Sequence, residues 1–139
     1  MSGSIITPLA ELLAEKVKAV GGKPYVWAPA ELSSLPAGVV ELPSITRVGV
    51  DEPEDHLGQK DWTLTYPVVF YFDLSKADTS QAKAADLIEA FIGEIDDDQS
   101  LEGNCQEAKV VAVEEPEFLE DKPKPQIRWM ARVEVLKFV

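Results

Sequence analysis

The chain has 139 residues, a length typical of one domain. It is acidic: 25 aspartate and glutamate residues against 13 lysine and arginine residues give a net charge of -12. Binding nucleic acid through its phosphates depends on clustered basic residues, so this composition argues against it. The single cysteine, Cys105, excludes an intramolecular disulfide and a zinc site made of several cysteines. Without an apolar run of about 18 residues or a basic-then-apolar leader, the sequence predicts a soluble intracellular protein that contacts no membrane.

The N-terminal part predicts a short arm over residues 1–6, followed by a first helix. Thr7 is a suitable helix cap, and Pro8 follows at the first helical position, where a missing N–H costs nothing. Gly21 and Gly22 are expected to end this helix. Its apolar residues keep helical spacing, which predicts one buried face. They are Leu9, Leu12, Leu13, Val17 and Val20.

Residues 23–43 carry prolines at positions 24, 29, 36 and 43 and predict an excursion without long regular structure. Tyr25, Val26 and Trp27 are expected to form a short edge strand or an aromatic plug over the core. For Tyr25 and Trp27, a cover of the core is favoured over a ligand site. Ordered loops of this length commonly cover a core or contact a neighbouring molecule.

A hairpin is predicted after the excursion. Residues 45–50 alternate like an amphipathic strand, which residues 39–42 could extend. An acidic loop over residues 51–61 then leads to the next strand, so the hairpin has a protruding tip. His56 lies in that tip among acids. A metal site needs more ligands of the right type, and an exposed loop histidine is therefore the favoured interpretation.

The segment from Trp62 to Ile95 organises the predicted core. Every second residue between Trp62 and Phe72 is large and apolar, which predicts a strand with one buried face. Asp78 is the expected cap of a second helix. Strand and helix therefore have matching apolar faces, as in a two-layer domain. The helical stripe consists of Ala84, Leu87, Ile88, Phe91, Ile92 and Ile95.

The C-terminal part predicts a second hairpin. Residues 96–98 end the helix, residues 108–113 form a short strand, residues 114–124 form an acidic turn, and residues 126–139 form the last strand. The predicted fold class is α+β: a single two-layer domain over residues 1–139 with the order α-β-β-α-β-β. Its sheet is mostly antiparallel, and its helices pack on one face.

The acidic residues are concentrated in three connecting segments, which hold 15 of the 25 acids. Solvated loops that keep the protein soluble are the favoured interpretation. The alternative is a surface that repels a passing polyanion. The three groups are Asp51, Glu52, Glu54, Asp55 and Asp61; Glu94, Asp96, Asp97, Asp98 and Glu102; and Glu114, Glu115, Glu117, Glu120 and Asp121.

The sequence contains no motif typical of an enzyme. It has no GxSxG, no phosphate-binding glycine loop, no HExxH and no pair of histidines. Cys105 has no basic neighbour that would lower its pKa, so a buried or incidental thiol is expected. Asp96, Asp98 and Glu107 resemble a calcium loop only superficially, because the required glycine and final glutamate are missing. We therefore expect a protein that is not an enzyme and has no cofactor or metal.

Several segments resemble the tail terminator proteins of long-tailed bacteriophages. These are residues 35–43 (LPAGVVELP), the acidic loop, the strand WTLTYPVVFY at 62–71, the helix after Asp78, and SLEGNC at 100–105 before a short strand and a closing hairpin. The resemblance extends from Thr7 to the end of the chain. It rests on element order, length and loose patterns, and the family has no catalytic residues to carry over.

The resemblance implies a structural virion protein at the junction of tail and neck. Tail terminators form a ring, usually a hexamer, which caps the tail tube and offers a surface to the neck or head-completion protein. DNA passes through the ring only as cargo, and a negatively charged channel would not trap its phosphates. Another head-tail connector or stopper is the nearest alternative, followed by an acidic adaptor that mimics DNA and by a metal-dependent enzyme.

Candidate residues for interfaces or the channel follow from this interpretation. Ring closure uses two different patches of each subunit, and strand arginines could pair with a neighbour's acids or be ordinary solvated charges. One of two acidic groups is expected to face the channel or an axial neighbour: the tip with Asp51, Glu52, Glu54, Asp55 and Asp61, or the run Asp96, Asp97 and Asp98. The interface candidates are Arg47, Arg128, Arg132, Tyr25 and Trp27.

Overall fold

The computed structural model describes residues 4–29, 31–48, 61–75, 77–121 and 123–138. These residues form an α+β fold of two helices and one mixed, mostly antiparallel sheet of seven strands. The elements are α1 (Ile6–Ala19), β1 (Lys23–Val26), β2 (Ala37–Val40), β3 (Ser44–Val48), β4 (Asp61–Asp73), α2 (Ala77–Asp97), β5 (Glu107–Val113), β6 (Glu117–Leu119) and β7 (Gln126–Phe138).

Two long strands form the centre of the sheet. β4 and β7 pair antiparallel along their whole length, from Asp61 opposite Phe138 to Asp73 opposite Gln126. β2 and β3 both pair with the other edge of β4, and β5 and β6 both pair with the other edge of β7. β1 pairs with β2 and is the parallel exception. The sheet order is therefore β1-β2-β4-β7-β5. Outside this order, β3 pairs with the beginning of β4, and β6 pairs with the beginning of β7.

One core contains the buried side of both helices and one face of β4 and β7. The predicted alternation of β4 is confirmed, since Leu64, Tyr66, Val68, Phe70 and Phe72 are all buried. The predicted stripe of α2 is also confirmed: Ala84, Ile88, Phe91 and Ile95 are buried, and Leu87 and Ile92 pack against the same core. The rings of Phe70 and Phe91 meet edge to face, with 5.0 Å between their centroids.

The first helix begins earlier than predicted. Ile5 is the N-cap and makes no side-chain capping bond, so the expected cap, Thr7, lies exposed inside the first turn. Pro8 is then the third helical residue. The first four N–H groups of a helix have no acceptor within the helix, so the missing N–H of Pro8 costs no hydrogen bond there. The hydroxyl of Tyr66 donates to the Ile6 carbonyl at 2.6 Å and fixes this turn to the sheet.

The end of α1 agrees with the sequence prediction. Val20 is the C-cap, and the N–H of Gly22 donates to the Val17 carbonyl at 3.1 Å. Gly21 has a φ of 94°, a conformation that glycine adopts without a steric cost.

The region 23–43 has more regular structure than its prolines predicted. Tyr25 and Val26 lie in an edge strand, β1, which confirms one of the two expected arrangements. Residues 37–48 form two strands rather than one, separated by Glu41, Leu42 and Pro43. Prolines are compatible with these strands because they lie at an edge or between strands, where no ladder hydrogen bond is lost.

Two further predictions need correction. Asp78 lies in the first turn of α2 and is not its cap, because the helix already includes Ala77. The order α-β-β-α-β-β omits β1 and β6 and merges β2 with β3. β6 has three residues, too few to show a periodicity of two in the sequence. The predicted strands over 108–113 and 126–139 are present as β5 and β7.

Neither helix of the described residues combines the length and the apolar character that a membrane crossing requires.

Candidate functional site

The acidic channel candidates occupy different environments. Asp96 and Asp97 are exposed in the last turn of α2, where the helix dipole disfavours negative charge. Asp61 is half-buried as the first residue of β4. Asp96 and Asp97 are therefore the described candidates that are open to a passing ligand or neighbour. Outside the described residues lie Asp51, Glu52, Glu54 and Asp55.

Asp98 differs from its neighbours because it is part of an internal contact. Its Oδ2 lies 2.9 Å from Lys16 Nζ, and its Oδ1 accepts the backbone N–H of Glu102 at 3.0 Å. The hydrogen bond from Lys16, followed by the one from Glu102, holds the pKa of Asp98 below its ordinary value. Asp98 thus connects the end of α2 to α1 and stabilises the turn that follows α2.

Arg128 and Arg132 form ion pairs within the chain. Arg132 Nε lies 3.0 Å from Glu114 Oε2, and Arg128 Nη1 lies 3.6 Å from Glu117 Oε1. The indole N–H of Trp129 also donates to the Glu114 carbonyl at 2.6 Å. These contacts hold the segment that contains β6 against β7. They engage the two arginines with acids of their own chain.

Arg47 has a different position on the sheet. It is exposed on β3, and its guanidinium carbon lies 5.7 Å from the centroid of the Trp62 ring, within the range of a cation–π interaction. Among the described residues, Arg47 forms no ion pair, unlike Arg128 and Arg132.

Tyr25 and Trp27 both take part in the packing of residues 23–36. Hydrogen bonds from Ser33, first from its hydroxyl and then from its backbone N–H, lower the pKa of Tyr25. Trp27 packs half-buried against the core, with a φ of 71° that is unusual for a residue other than glycine. The two side chains secure the excursion on the sheet.

Cys105 is buried in the turn between α2 and β5. Its thiol lies 3.5 Å from the Gln99 carbonyl, and burial raises the pKa of Cys105 to about 11. A thiol with a raised pKa is a poor nucleophile near neutral pH, since the thiolate is the reactive form. The burial of Cys105 agrees with the first of the two expectations, a buried or an incidental thiol. His56, the other residue singled out by the sequence, lies outside the described residues.

The described surface has several grooves that are open to solvent. A groove of about 380 Å³ lies between the start of α2 and the end of β4. Its polar groups include Asp73, which accepts bonds from the backbone and hydroxyl of Ser75 at 3.0 and 2.8 Å. These two residues are already paired with each other. Within the described part of the chain, no three His, Cys, Asp or Glu side chains converge as metal ligands would.

The sequence missed the structural role of residues 114–119. Glu114 and Glu117 were assigned to an acidic connector, although they bind the arginines that project from β7. No local pattern identifies their partners, which are 11 and 18 positions away.

The described residues define an α+β protein whose notable surfaces are acidic element ends and open strand edges. The chain matches no protein-family model and no curated protein sequence.

Proposed function

We propose that this protein is a structural virion protein, a tail terminator that forms a ring on the tail tube and joins it to the neck. The observation that carries the proposal is the sheet, whose described strands leave edges on both sides of the central β4–β7 pair. A closed ring of identical copies requires two different patches on each copy, and the two sides of this sheet differ in sequence. The resemblance of residues 7–139 to tail terminators suggests what such a ring does, namely cap the tail tube and join it to the neck.

We also propose a two-layer arrangement with both helices on one face of the sheet. It is supported by the single core that α1, α2 and the even-numbered residues of β4 share. On the opposite face of β4, Thr63, Thr65 and Tyr71 are half-buried, and Val69 is fully buried. A rigid two-layer unit suits a ring that DNA must cross, because its wall keeps one shape.

The exposed acids have a physical use in this proposal. DNA carries one negative charge per about 1.7 Å of duplex, and a wall with exposed carboxylates repels it. Asp96 and Asp97 are candidates for the channel wall because both are exposed. Asp98 is a weaker candidate, since its charge is engaged by Lys16. The proposed partners are the tail tube protein and a neck or head-completion protein, with DNA as passing cargo.

A virus that lacks this chain tests the proposal. If the protein is a terminator, its absence produces tails of uncontrolled length without attached heads, and the wild-type gene supplied in trans restores both length and joining. Electron microscopy of the lysates measures tail length and attachment. A connector or stopper would instead leave tails of normal length that fail to join. Particles assembled normally without the chain would refute a role in the virion.

Measurements on the purified protein address the other classes. A ring appears by light scattering and electron microscopy, either alone or after addition of tail tubes. Tight magnesium or calcium binding in calorimetry would indicate a metal-dependent enzyme. A stable monomer or dimer that binds a basic partner, and does not bind tubes, would indicate an acidic adaptor.

A further inference from the structure

The two sides of the sheet differ in charge. We define the β3 side as residues 4–48, which contain α1 and β1 to β3, and the β5–β6 side as residues 77–121, which contain α2, β5 and β6. The described β3 side has four acidic and four basic residues, and the β5–β6 side has fourteen acidic and two basic residues. Two copies that met through their β5–β6 sides would therefore repel each other, whereas the described residues of the β3 side carry no net charge that would repel a β5–β6 side.

Exposed apolar side chains occur on both sides. Leu42, between β2 and β3, is 71% exposed, and Ile45 on β3 is 40% exposed. On the other side, Val111 of β5 and Phe118 of β6 are 46% and 45% exposed. Each side thus presents two large apolar residues next to its strand edge, and burying them against each other would remove apolar surface from water.

The main-chain groups of β3 also point outward. The N–H of Glu41 donates to the Pro67 carbonyl, so the odd-numbered residues of β4 direct their backbone groups to this side. Thr46, opposite Thr63, therefore faces β4, and its neighbours Ile45 and Arg47 direct their N–H and C=O groups away from the sheet. β3 contains no proline, and no strand of the described residues pairs with its outward groups, which could accept a further strand.

The other edges are less open. At β1, the N–H of Lys23 donates to the Pro36 carbonyl just before β2, and the N–H of Trp27, which follows β1, donates to the Val40 carbonyl. Pro24, a residue without an N–H, is therefore at an outward position. On β5, the N–H of Ala108 donates to the Gln99 carbonyl at 2.6 Å, and the pairing with β7 shifts between Val110 and Ala112. This irregularity lies at the exposed Val111. The outward N–H of Ala108 is therefore already occupied, and the outward backbone groups of β5 that could bind a further strand begin at Val110.

Strand directions favour one way of joining copies. From β3 through β4 and β7 to β5, each strand is antiparallel to the one before it. A neighbour placed beside the sheet by rotation about an axis along the strands brings its β3 antiparallel to β5. Antiparallel pairing of this kind would allow a head-to-tail contact to extend the sheet.

We infer that the β3 side of one copy docks on the β5–β6 side of the next copy, with Leu42 and Ile45 against Val111 and Phe118. Arg47 then faces the acids of the neighbouring β5–β6 side, of which Glu115 is exposed. This contact rests on the proposed ring of identical copies and names the two patches that close it.

Cross-linking between single-cysteine variants tests this contact. Leu42→Cys protein is mixed with Val111→Cys protein, and a short bis-maleimide is added to the purified mixture and to assembled particles. We expect a covalent dimer in the mixture that neither variant gives alone, and a ladder of higher products from the chain with both substitutions. There are two controls, and neither should give the dimer. One is the wild-type chain, whose Cys105 is buried. The other is a mixture of Val111→Cys protein with Glu11→Cys protein, in which the cysteine lies on the exposed face of α1.

Charge substitutions provide a second measurement on the same variants. Arg47→Glu is expected to lower the yield of the mixed dimer about tenfold, and Arg47→Lys is expected to retain most of it. A circular dichroism spectrum confirms that each variant folds. An equal yield from Arg47→Glu would contradict the predicted facing of Arg47 and acids.

The outcomes separate this inference from the proposed function. Rings in particles without the mixed product would overturn the inference and leave the tail terminator role intact. Dimers from Leu42→Cys alone would also overturn it, because they indicate a symmetric contact between two β3 sides. A ladder from the purified protein, with the chain itself absent from virions, would support the contact and refute the virion role. Absence of the mixed product from both samples overturns the contact.

Discussion

Substituting Gly38 by alanine tests how closely α1 packs on β2. A Cβ on Gly38 would lie 2.6 Å from Val17 Cγ1 and 3.0 Å from Phe70 Cε1. Both neighbours are fully buried, so they cannot move aside without disturbing the core. An extra methyl group in a filled core costs about 1–3 kcal/mol, and the reduced freedom of the unfolded chain offsets about 0.4–1 kcal/mol. We expect a net loss of about 1–2 kcal/mol, which lowers the Tm by about 3–7 °C.

Urea and thermal unfolding followed by circular dichroism measure this loss. Gly93→Ala is the matched control, because a Cβ there meets no atom within 4 Å and the site lies inside α2. It should raise the stability by about 0.5–1 kcal/mol. Adding Val17→Ala to Gly38→Ala removes the clashing methyl groups, so the double variant should lose at least about 0.5 kcal/mol less than the two single losses together. Equal stability of Gly38→Ala and wild type would refute the close contact between α1 and β2.

Three further predictions concern the polar contacts of the core and its margin. Tyr66→Phe should lose about 1 kcal/mol, because the hydrogen bond to Ile6 disappears. Burial raises the pKa of Tyr66, so the wild type should lose stability as the pH rises above the ordinary tyrosine value of 10.0, and urea midpoints of the phenylalanine variant should show a smaller alkaline loss. Asp98→Asn should destabilise the protein at neutral pH. Because the pKa of Asp98 is lowered in the folded state, the difference from wild type should disappear in urea titrations as the pH falls below 3.8, and a persistent difference would assign it to another cause. The Cys105 thiol should react slowly with a disulfide reagent at pH 7 and rapidly after addition of urea, since burial raises its pKa to about 11; rapid reaction in the native state would contradict that burial.

The sequence located many of the candidate surface residues but did not predict which side chains they contact. The composition identified Asp96 and Asp97 as exposed acids, because a run of carboxylates has no favourable position in a core. Their neighbour Asp98 shares this pattern, yet it binds Lys16, which lies 82 positions away in the chain. The sequence gives no indication of which acid of a run meets a distant cation.

The amino-acid sequence by itself determined those elements in which the spacing of the apolar residues shows which face is buried. Residues 62–72 and the stripe from Ala84 to Ile95 each repeat apolar residues at the spacing of their structure, so local sequence sets which side is buried. The same reason explains the correct prediction of the last strand.

Only the tertiary structure decided which strands meet and where short elements begin. The parallel pairing of β1 with β2, the three-residue strand β6 and the helix start before Thr7 all depend on partners far along the chain. β6 is held by Arg128 and Arg132, and the first turn of α1 is held by Tyr66. Such contacts become favourable only when the β4–β7 pair has brought distant segments together. A local sequence pattern therefore cannot predict them.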